Sequence, residues 1–123
     1  MCIRDRQNRA LGINYNFSPS VDVNNNSKNP IIGNRSFGED PDNVYRKAKA
    51  YIMGHNEAGV FTSVKHFPGH GDTDKDSHKT LPVISGNIER LNKVELYPFK
   101  KLEFIINKGN KAQFLRTVDV IFK

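Results

Sequence analysis

The fold is decided by the stretch Gly59-Val-Phe-Thr-Ser-Val-Lys-His-Phe-Pro-Gly-His-Gly-Asp-Thr-Asp-Lys-Asp-Ser-His78. Its first part, Val60 to Phe67, is rich in β-branched and aromatic residues and predicts a buried strand. Pro68, Gly69 and Gly71 end the strand, and a polar loop with histidines and aspartates follows. Since loops on a rigid scaffold often carry catalytic groups, we expect the function in this loop.

The residues before this strand predict a helix and an earlier strand. Asp40 can cap a helix that has Pro41 in its first turn, and Gly59 ends it. The residues that recur with helical spacing are Val44, Ala48, Tyr51, Ile52 and Ala58. A first strand is expected at about Asn14 to Phe17, followed by a polar loop at Asp22 to Asn29. A helix between two strands favours an α/β fold with parallel strands joined by a crossover.

Asp76 and His78 form a candidate acid/base dyad in the polar loop. They are two residues apart, so in a turn both side chains can lie on one side and share a hydrogen bond. A carboxylate on one imidazole nitrogen orients the ring for proton transfer at neutral pH. The alternative is a solvated loop in which Asp76 stabilises a turn and His78 has no chemical role.

The motif Lys65-His-Phe-Pro-Gly-His-Gly-Asp-Thr73, followed by Asp76-Ser-His78, resembles the signature of family 3 glycoside hydrolases, in the β-N-acetylglucosaminidase branch. Three further segments resemble a strand, an arginine loop and a helix start of that family: residues 11–23, 32–38 and 95–102. The resemblance covers residues 8–102.

The resemblance implies a (β/α)8 TIM barrel with its active site at the carboxyl ends of the strands. Such a barrel needs about 250 residues, and this chain has 123, so about half of a barrel is expected. Residues 1–7 do not resemble the family and are interpreted as a non-native lead-in. Residues 103–123 do not align with it either, which a frame change near Leu102 or a divergent insertion would explain.

The resemblance also implies a retaining glycosidase that removes terminal β-N-acetylglucosamine from peptidoglycan fragments of bacteria. His78 is then the proton donor and later the proton acceptor, with Asp76 as its partner. The nucleophile of the family is an aspartate beyond the dyad loop, and no residue here matches it, Asp119 in the unaligned tail included. The alternatives are a β-glucosidase or a glycoside phosphorylase of the same family, or a non-catalytic sugar-binding remnant.

The resemblance assigns sugar-binding roles to Lys65, His66 and Arg35. An adjacent Lys and His at a strand end suit a ring with neighbouring hydroxyls, and Arg35 resembles an arginine that contacts the same sugar. Without the motif, Lys65 and Arg35 would be interpreted as solvated charges and His66 as a core residue. No cofactor is implied.

A metal site is a competing interpretation. The candidate zinc or iron ligands are His66, His70, Asp72 and His78. Pro68 and Gly69 interrupt any helical His-x-x-x-His presentation, so the spacing gives this interpretation little support.

A basic binding module is a second competing interpretation, since the net charge is +6 and the pI is about 9.6. The positive residues are scattered and no nucleic-acid motif occurs, so no nucleic-acid partner is implied. The resemblance implies a carbohydrate as the partner, and no protein partner is implied. No apolar stretch is long enough for a membrane span. The one cysteine, Cys2, allows no disulfide framework. The compartment is undetermined, with the cytoplasm favoured over the periplasm or the cell envelope.

Overall fold

The structure is a computed structural model that describes residues 3–76, 78–79, 81–84, 86–106, 114–117 and 121–122. The elements within these residues are, in chain order, α1 (Ile3–Ala10), β1 (Tyr15–Asn16), a short 3-10 helix (Gly33–Arg35), α2 (Pro41–Glu57), β2 (Phe61–Phe67), β3 (Val83–Ile84), α3 (Ile88–Lys93), α4 (Tyr97–Ile106), β4 (Phe114–Thr117) and β5 (Ile121–Phe122). Within these ranges, every helix is too short or too polar to cross a membrane.

The strands run parallel. β2 lies between β1 and β4, with Tyr15 opposite Phe61 and Ser63 opposite Phe114, while β3 pairs with β5 separately. Because the three strands share one direction, their carboxyl ends lie at one edge of the sheet. In parallel α/β sheets, ligands bind at this edge.

Helix α2 forms where the local signals predict it. The Asp40 side chain accepts a hydrogen bond from the amide of Asn43, Pro41 occupies the first turn, and Gly59 follows the helix with a φ of +74°. Val44, Ala48 and Ile52 are fully buried on one face. They pack with Val21, Val23, Val64, Phe99 and Leu102 in one hydrophobic cluster. The core therefore lies between the sheet, α2 and α4.

The predicted order of strand, helix and parallel strand is confirmed. The first strand is shorter than expected, since only Tyr15 and Asn16 pair regularly with β2. Beyond Asn16 the Ser18–Pro19 peptide bond is cis, and the carbonyls of Ser18 and Pro19 accept hydrogen bonds from the amides of Ser63 and Lys65 in β2. Ser20 then forms an isolated bridge opposite Lys65. The polar segment Asp22–Asn29 forms a loop, as predicted.

The two terminal segments that the sequence analysis placed outside the resemblance contain regular structure. Helix α1 begins at Ile3 within residues 1–7, and its Asp5 is fully buried. Within residues 103–123, β4 pairs with β2 and β5 with β3. Residues 107–113, 118–120 and 123 of that tail lie outside the described residues.

Candidate active site

The site is built where the carboxyl end of β2 meets the segment after β1. The amide of Lys65 donates to the carbonyl of Pro19 at 3.1 Å, and the amide of Val21 donates to the carbonyl of Lys65 at 2.6 Å. The Lys65–His66 and Phe67–Pro68 peptide bonds are cis. The two backbone hydrogen bonds place Lys65 and His66 beside the residues that lead into the loop beginning at Asp22.

Asp22 is a fully buried carboxylate that holds His66 in place. Its Oδ2 lies 2.7 Å from His66 Nδ1 and accepts a 2.6 Å hydrogen bond from the Ser20 hydroxyl, and its Oδ1 accepts from the His70 amide at 2.8 Å. Burial alone would raise the pKa of Asp22, but the hydrogen bond and charge of His66, helped by Ser20 and His70, outweigh it and hold the pKa below its ordinary value. The carboxylate therefore stays ionised and fixes the His66 ring.

Arg35 reaches the other side of His66. Its Nη2 lies 3.4 Å from His66 Nε2, and its Nη1 donates to the carbonyl of Ile31 at 3.1 Å. Arg35 and Lys65 line one polar cavity of about 340 Å³. The other described residues of its lining are Arg4, Ser18, Ser20, Asn34, Ser36 and Phe37. Arg35 contacts His66 and shares this cavity with Lys65, so the structure brings the three predicted sugar-binding residues together.

The predicted dyad forms a direct hydrogen-bonded pair. His78 Nδ1 lies 2.9 Å from Asp76 Oδ1, and the same oxygen accepts from the His78 amide at 2.9 Å. The amide and the imidazole of His78 together hold the pKa of the Asp76 carboxyl below its ordinary value. The His78 side chain is 83% exposed. Among the described residues that line the 340 Å³ cavity, neither member of the dyad occurs.

The root of the dyad loop, residues 70–73, is held by an ionic cluster. Arg90 Nη2 binds Asp72 Oδ2 and lies 3.0 Å from Glu95 Oε1, and the Glu95 side chain is only 2% exposed. The pKa of Glu95 is raised above its ordinary value because the effect of burial exceeds the opposing effect of the Arg90 charge. A Cβ added to Gly69 would lie 2.8 Å from Glu95 Cβ, so the turn after β2 packs directly against the aliphatic part of the Glu95 side chain.

The proposed metal ligands are engaged with protein partners. His66 Nδ1 binds Asp22, the Thr73 hydroxyl contacts His70 Nδ1, and Arg90 binds Asp72. Within the described ranges, no three His, Cys, Asp or Glu side chains cluster in a way that could hold a metal ion.

Sequence reasoning missed the residues that organise the site. Asp22 and Asn29 were expected only as the ends of a polar loop, and Arg90 and Glu95 carried no functional expectation. Their contacts join segments far apart in sequence, such as Asp22 with His66, 44 residues away. The one local signal is that Asp22 stands between Val21 and Val23, since a charged residue flanked by two apolar ones indicates a buried position.

Comparison with known families assigns the chain to the glycosyl hydrolases. Residues 2–112 match the model of the Glycosyl hydrolase family 3 N terminal domain, and the chain belongs to this family. The resemblance based on residues 65–78 is confirmed.

The similar proteins share one type of name. The chain is 46% identical over 93 residues to Beta-hexosaminidase A of Pseudoalteromonas piscicida, covering 76% of this chain and 16% of that protein. It resembles the structure of a glycoside hydrolase family 3 beta-N-acetylglucosaminidase from Paenibacillus sp. str. FPU-7, with 47% identity, a TM-score of 0.87 and coverage of 98% and 22%. NagZ from Neisseria gonorrhoeae, solved in complex with N-trifluoroacetyl-D-glucosamine, has 32% identity, a TM-score of 0.82 and coverage of 96% and 33%. The chain thus spans a third or less of the length of each.

Proposed function

We propose that these residues belong to a retaining β-N-acetylhexosaminidase that removes terminal N-acetylglucosamine, and that they form about half of a (β/α)8 barrel. The parallel β1–β2–β4 sheet with helices between its strands is consistent with a barrel segment. The relatives named beta-hexosaminidase and beta-N-acetylglucosaminidase support the activity.

The observation that carries the proposal is the 2.9 Å contact between His78 Nδ1 and Asp76 Oδ1. It leaves His78 Nε2 as the nitrogen that can face a substrate. In the proposed reaction, His78 gives a proton to the leaving oxygen while an aspartate attacks the sugar from the opposite face. His78 then takes a proton from the water that hydrolyses the glycosyl intermediate. That aspartate lies outside residues 8–102, since no carboxylate in this range matches the nucleophile of the family.

Arg35, Lys65 and His66 are proposed to bind the sugar that is cleaved. Arg35 and Lys65 line one polar cavity, and His66 contacts Arg35. Asp22 fixes the ring of His66, so the site is organised before the sugar arrives. Cationic and imidazole donors suit the hydroxyls of a pyranose ring. The N-acylglucosamine ligand of the Neisseria relative supports N-acetylglucosamine as the sugar. Peptidoglycan fragments, which contain this sugar, are the proposed natural substrates.

Paired aryl glycosides test the proposal in the full-length protein. Faster release of the aryl group from the β-N-acetylglucosaminide than from the β-glucoside is expected, and the reverse order would favour the β-glucosidase alternative. The sugar product then separates the remaining alternatives. Free N-acetylglucosamine in phosphate buffer indicates a hydrolase, whereas the sugar phosphate would indicate a phosphorylase.

A further inference from the structure

Asn29 connects the two loops that carry the proposed sugar-binding and acid residues. Its side chain is buried, with 8% of the residue exposed. On the first side, its Oδ1 accepts hydrogen bonds from the amides of Ile31 at 2.9 Å and Ile32 at 2.7 Å. These bonds set the turn that leads into the short 3-10 helix ending at Arg35. The oxygen of Asn29 therefore shapes the arginine loop.

The nitrogen of the same amide holds the root of the dyad loop. Asn29 Nδ2 donates to the carbonyl of His70 at 2.6 Å and to the carbonyl of Gly71 at 3.1 Å, and it lies 3.3 Å from Thr73 Oγ1. These partners are 41 to 44 residues further along the chain. Asp76 follows Thr73 by three residues. The nitrogen of Asn29 thus holds the backbone from which the dyad projects.

An amide is suited to this position because it presents an acceptor and a donor in one plane. The backbone partners on the two sides fix which end is oxygen and which is nitrogen, since only the oxygen can accept from Ile31 and Ile32. Buried polar groups that lose their partner are costly, so either half of the contact resists opening. The segment that begins at Ile31 and the segment that begins at His70 are therefore held by the same side chain.

We propose that Asn29 is a positioning residue that couples the arginine loop, residues 31–35, to the root of the dyad loop, residues 70–73. This inference rests on the proposed function, because Arg35 and His78 have to act on the same glycoside. Asn29 sets their relative placement through a shared side chain. Asn29 itself does not touch the reacting atoms.

The variant Asn29→Asp separates the two halves. It keeps an oxygen for the amides of Ile31 and Ile32 but replaces the donor with an oxygen that faces the His70 and Gly71 carbonyls. The matched control is Asn26→Asp in the same loop. Toward the residues that the structure describes, the Asn26 side chain forms a hydrogen bond only through its oxygen, which accepts from the Lys28 amide at 2.9 Å. Both variants make the same chemical change.

In the full-length protein, Asn29→Asp should lower kcat about 10²-fold on glycosides with poor leaving groups, the effect of a misplaced acid. Loss on activated aryl glycosides should be much smaller, and Asn26→Asp should match the wild type on both. A merely structural role would reduce both substrate classes equally, through less folded enzyme. Equal loss on both classes would therefore overturn the inference.

Amide hydrogen exchange tests the coupling without relying on activity. Asn29→Asp should accelerate exchange in peptides that cover residues 66–76, while Asn26→Asp leaves them unchanged. If Asn29→Asp does not fold, Thr73→Val removes one partner of Asn29 Nδ2, together with the contacts of that hydroxyl to His70, and should give the same pattern in weaker form. Unchanged exchange in a folded variant would overturn the coupling. An inactive wild-type protein with accelerated exchange in the variant would overturn the proposed function and support the coupling.

Discussion

His66 Nδ1 lies 2.7 Å from Asp22 Oδ2, and this contact organises the carboxyl end of β2. Asp22 is fully buried, and it also accepts hydrogen bonds from Ser20 and from the amides of His66 and His70. One carboxylate thus orients an imidazole and holds the backbone on both sides of the Phe67–Pro68–Gly69 turn. The candidate sugar site and the start of the dyad loop share this support.

The substitution Asp22→Asn should destabilise the protein by about 3 kcal/mol, because an amide nitrogen would face hydrogen-bond donors in a buried site. Urea unfolding at pH 7 measures the free energy of unfolding. The matched control is Asp74→Asn in the exposed part of the dyad loop, where the change should be within about 0.5 kcal/mol. Equal unfolding free energies for Asp22→Asn and the wild type would contradict a supporting role for the carboxylate.

The lowered pKa of Asp22 predicts an acid limb of stability. Because the folded-state pKa lies below the unfolded value of about 3.9, the ionised carboxylate favours the folded state. Its contribution is present above pH about 4 and is lost as the pH falls through the folded-state pKa. Glu95 acts with the opposite sign. Because its folded-state pKa is raised, its contribution to stability is present at low pH and is lost as the pH rises from the unfolded-state pKa to the folded-state pKa.

Unfolding midpoints between pH 5 and pH 3 measure this limb. Asp22→Asn should flatten it, whereas Asp76→Asn should leave most of it, because the surface exposure of the dyad screens its charges. A limb that is equally steep in Asp22→Asn would assign the acid sensitivity to other groups.

The local parts of the fold are predictable from sequence, and the long-range contacts are not. The cap at Asp40, the apolar spacing from Val44 to Ile52 and the β-branched run before Lys65 are contained in short windows, so α2 and β2 follow from them. The Asp76–His78 pair is similarly local. Local propensity does not indicate where a buried polar side chain finds its partner.

Asp22 and Asn29 illustrate the limit. Both stand in a segment that composition describes as a polar loop, and both form hydrogen bonds with residues more than 40 positions away. Their contacts depend on the parallel pairing of β1 and β2, which brings the two loops to the same edge. A prediction of these contacts needs the topology first and the exact register afterwards.

Gly71→Ala should be strongly destabilising because the dyad loop approaches the backbone of Val23 at this position. A Cβ on Gly71 would lie 1.8 Å from the carbonyl oxygen of Val23, so the loop has to move. The comparison is Gly12→Ala, where φ is +77° but nothing lies within 4 Å of the added Cβ. The backbone strain at Gly12 should cost about 1–2 kcal/mol. Thermal unfolding should rank Gly71→Ala well below Gly12→Ala, and the reverse order would refute the close approach.

Arg90→Lys should weaken the ionic cluster at the loop root, although the charge is retained. Arg90 contacts both Asp72 and Glu95, and a lysine cannot reproduce the planar geometry of the guanidinium. We expect a loss of about 1–2 kcal/mol in the free energy of unfolding. Arg46→Lys is the control, because its pair with Asp42 is exposed and should contribute little. Equal effects at Arg90 and Arg46 would mean that the cluster does not hold the loop.

His78→Ala should impair the proposed hydrolysis according to the leaving group. A poor leaving group needs a proton, so the loss on an alkyl or sugar N-acetylglucosaminide should be about 10²–10⁴-fold. The aryl group of an activated aryl glycoside leaves without that proton, so the rate of the first step should fall far less.

Asp76→Asn should give the same pattern with a smaller loss of rate, because it keeps a hydrogen-bond acceptor for His78 Nδ1 but removes the charge that stabilises the protonated ring. Steady-state rates of both variants on the two substrate classes provide the measurement, with Lys79→Ala as a control in the same exposed loop. Equal losses on both classes would make His78 a structural residue and remove the acid from the proposed mechanism.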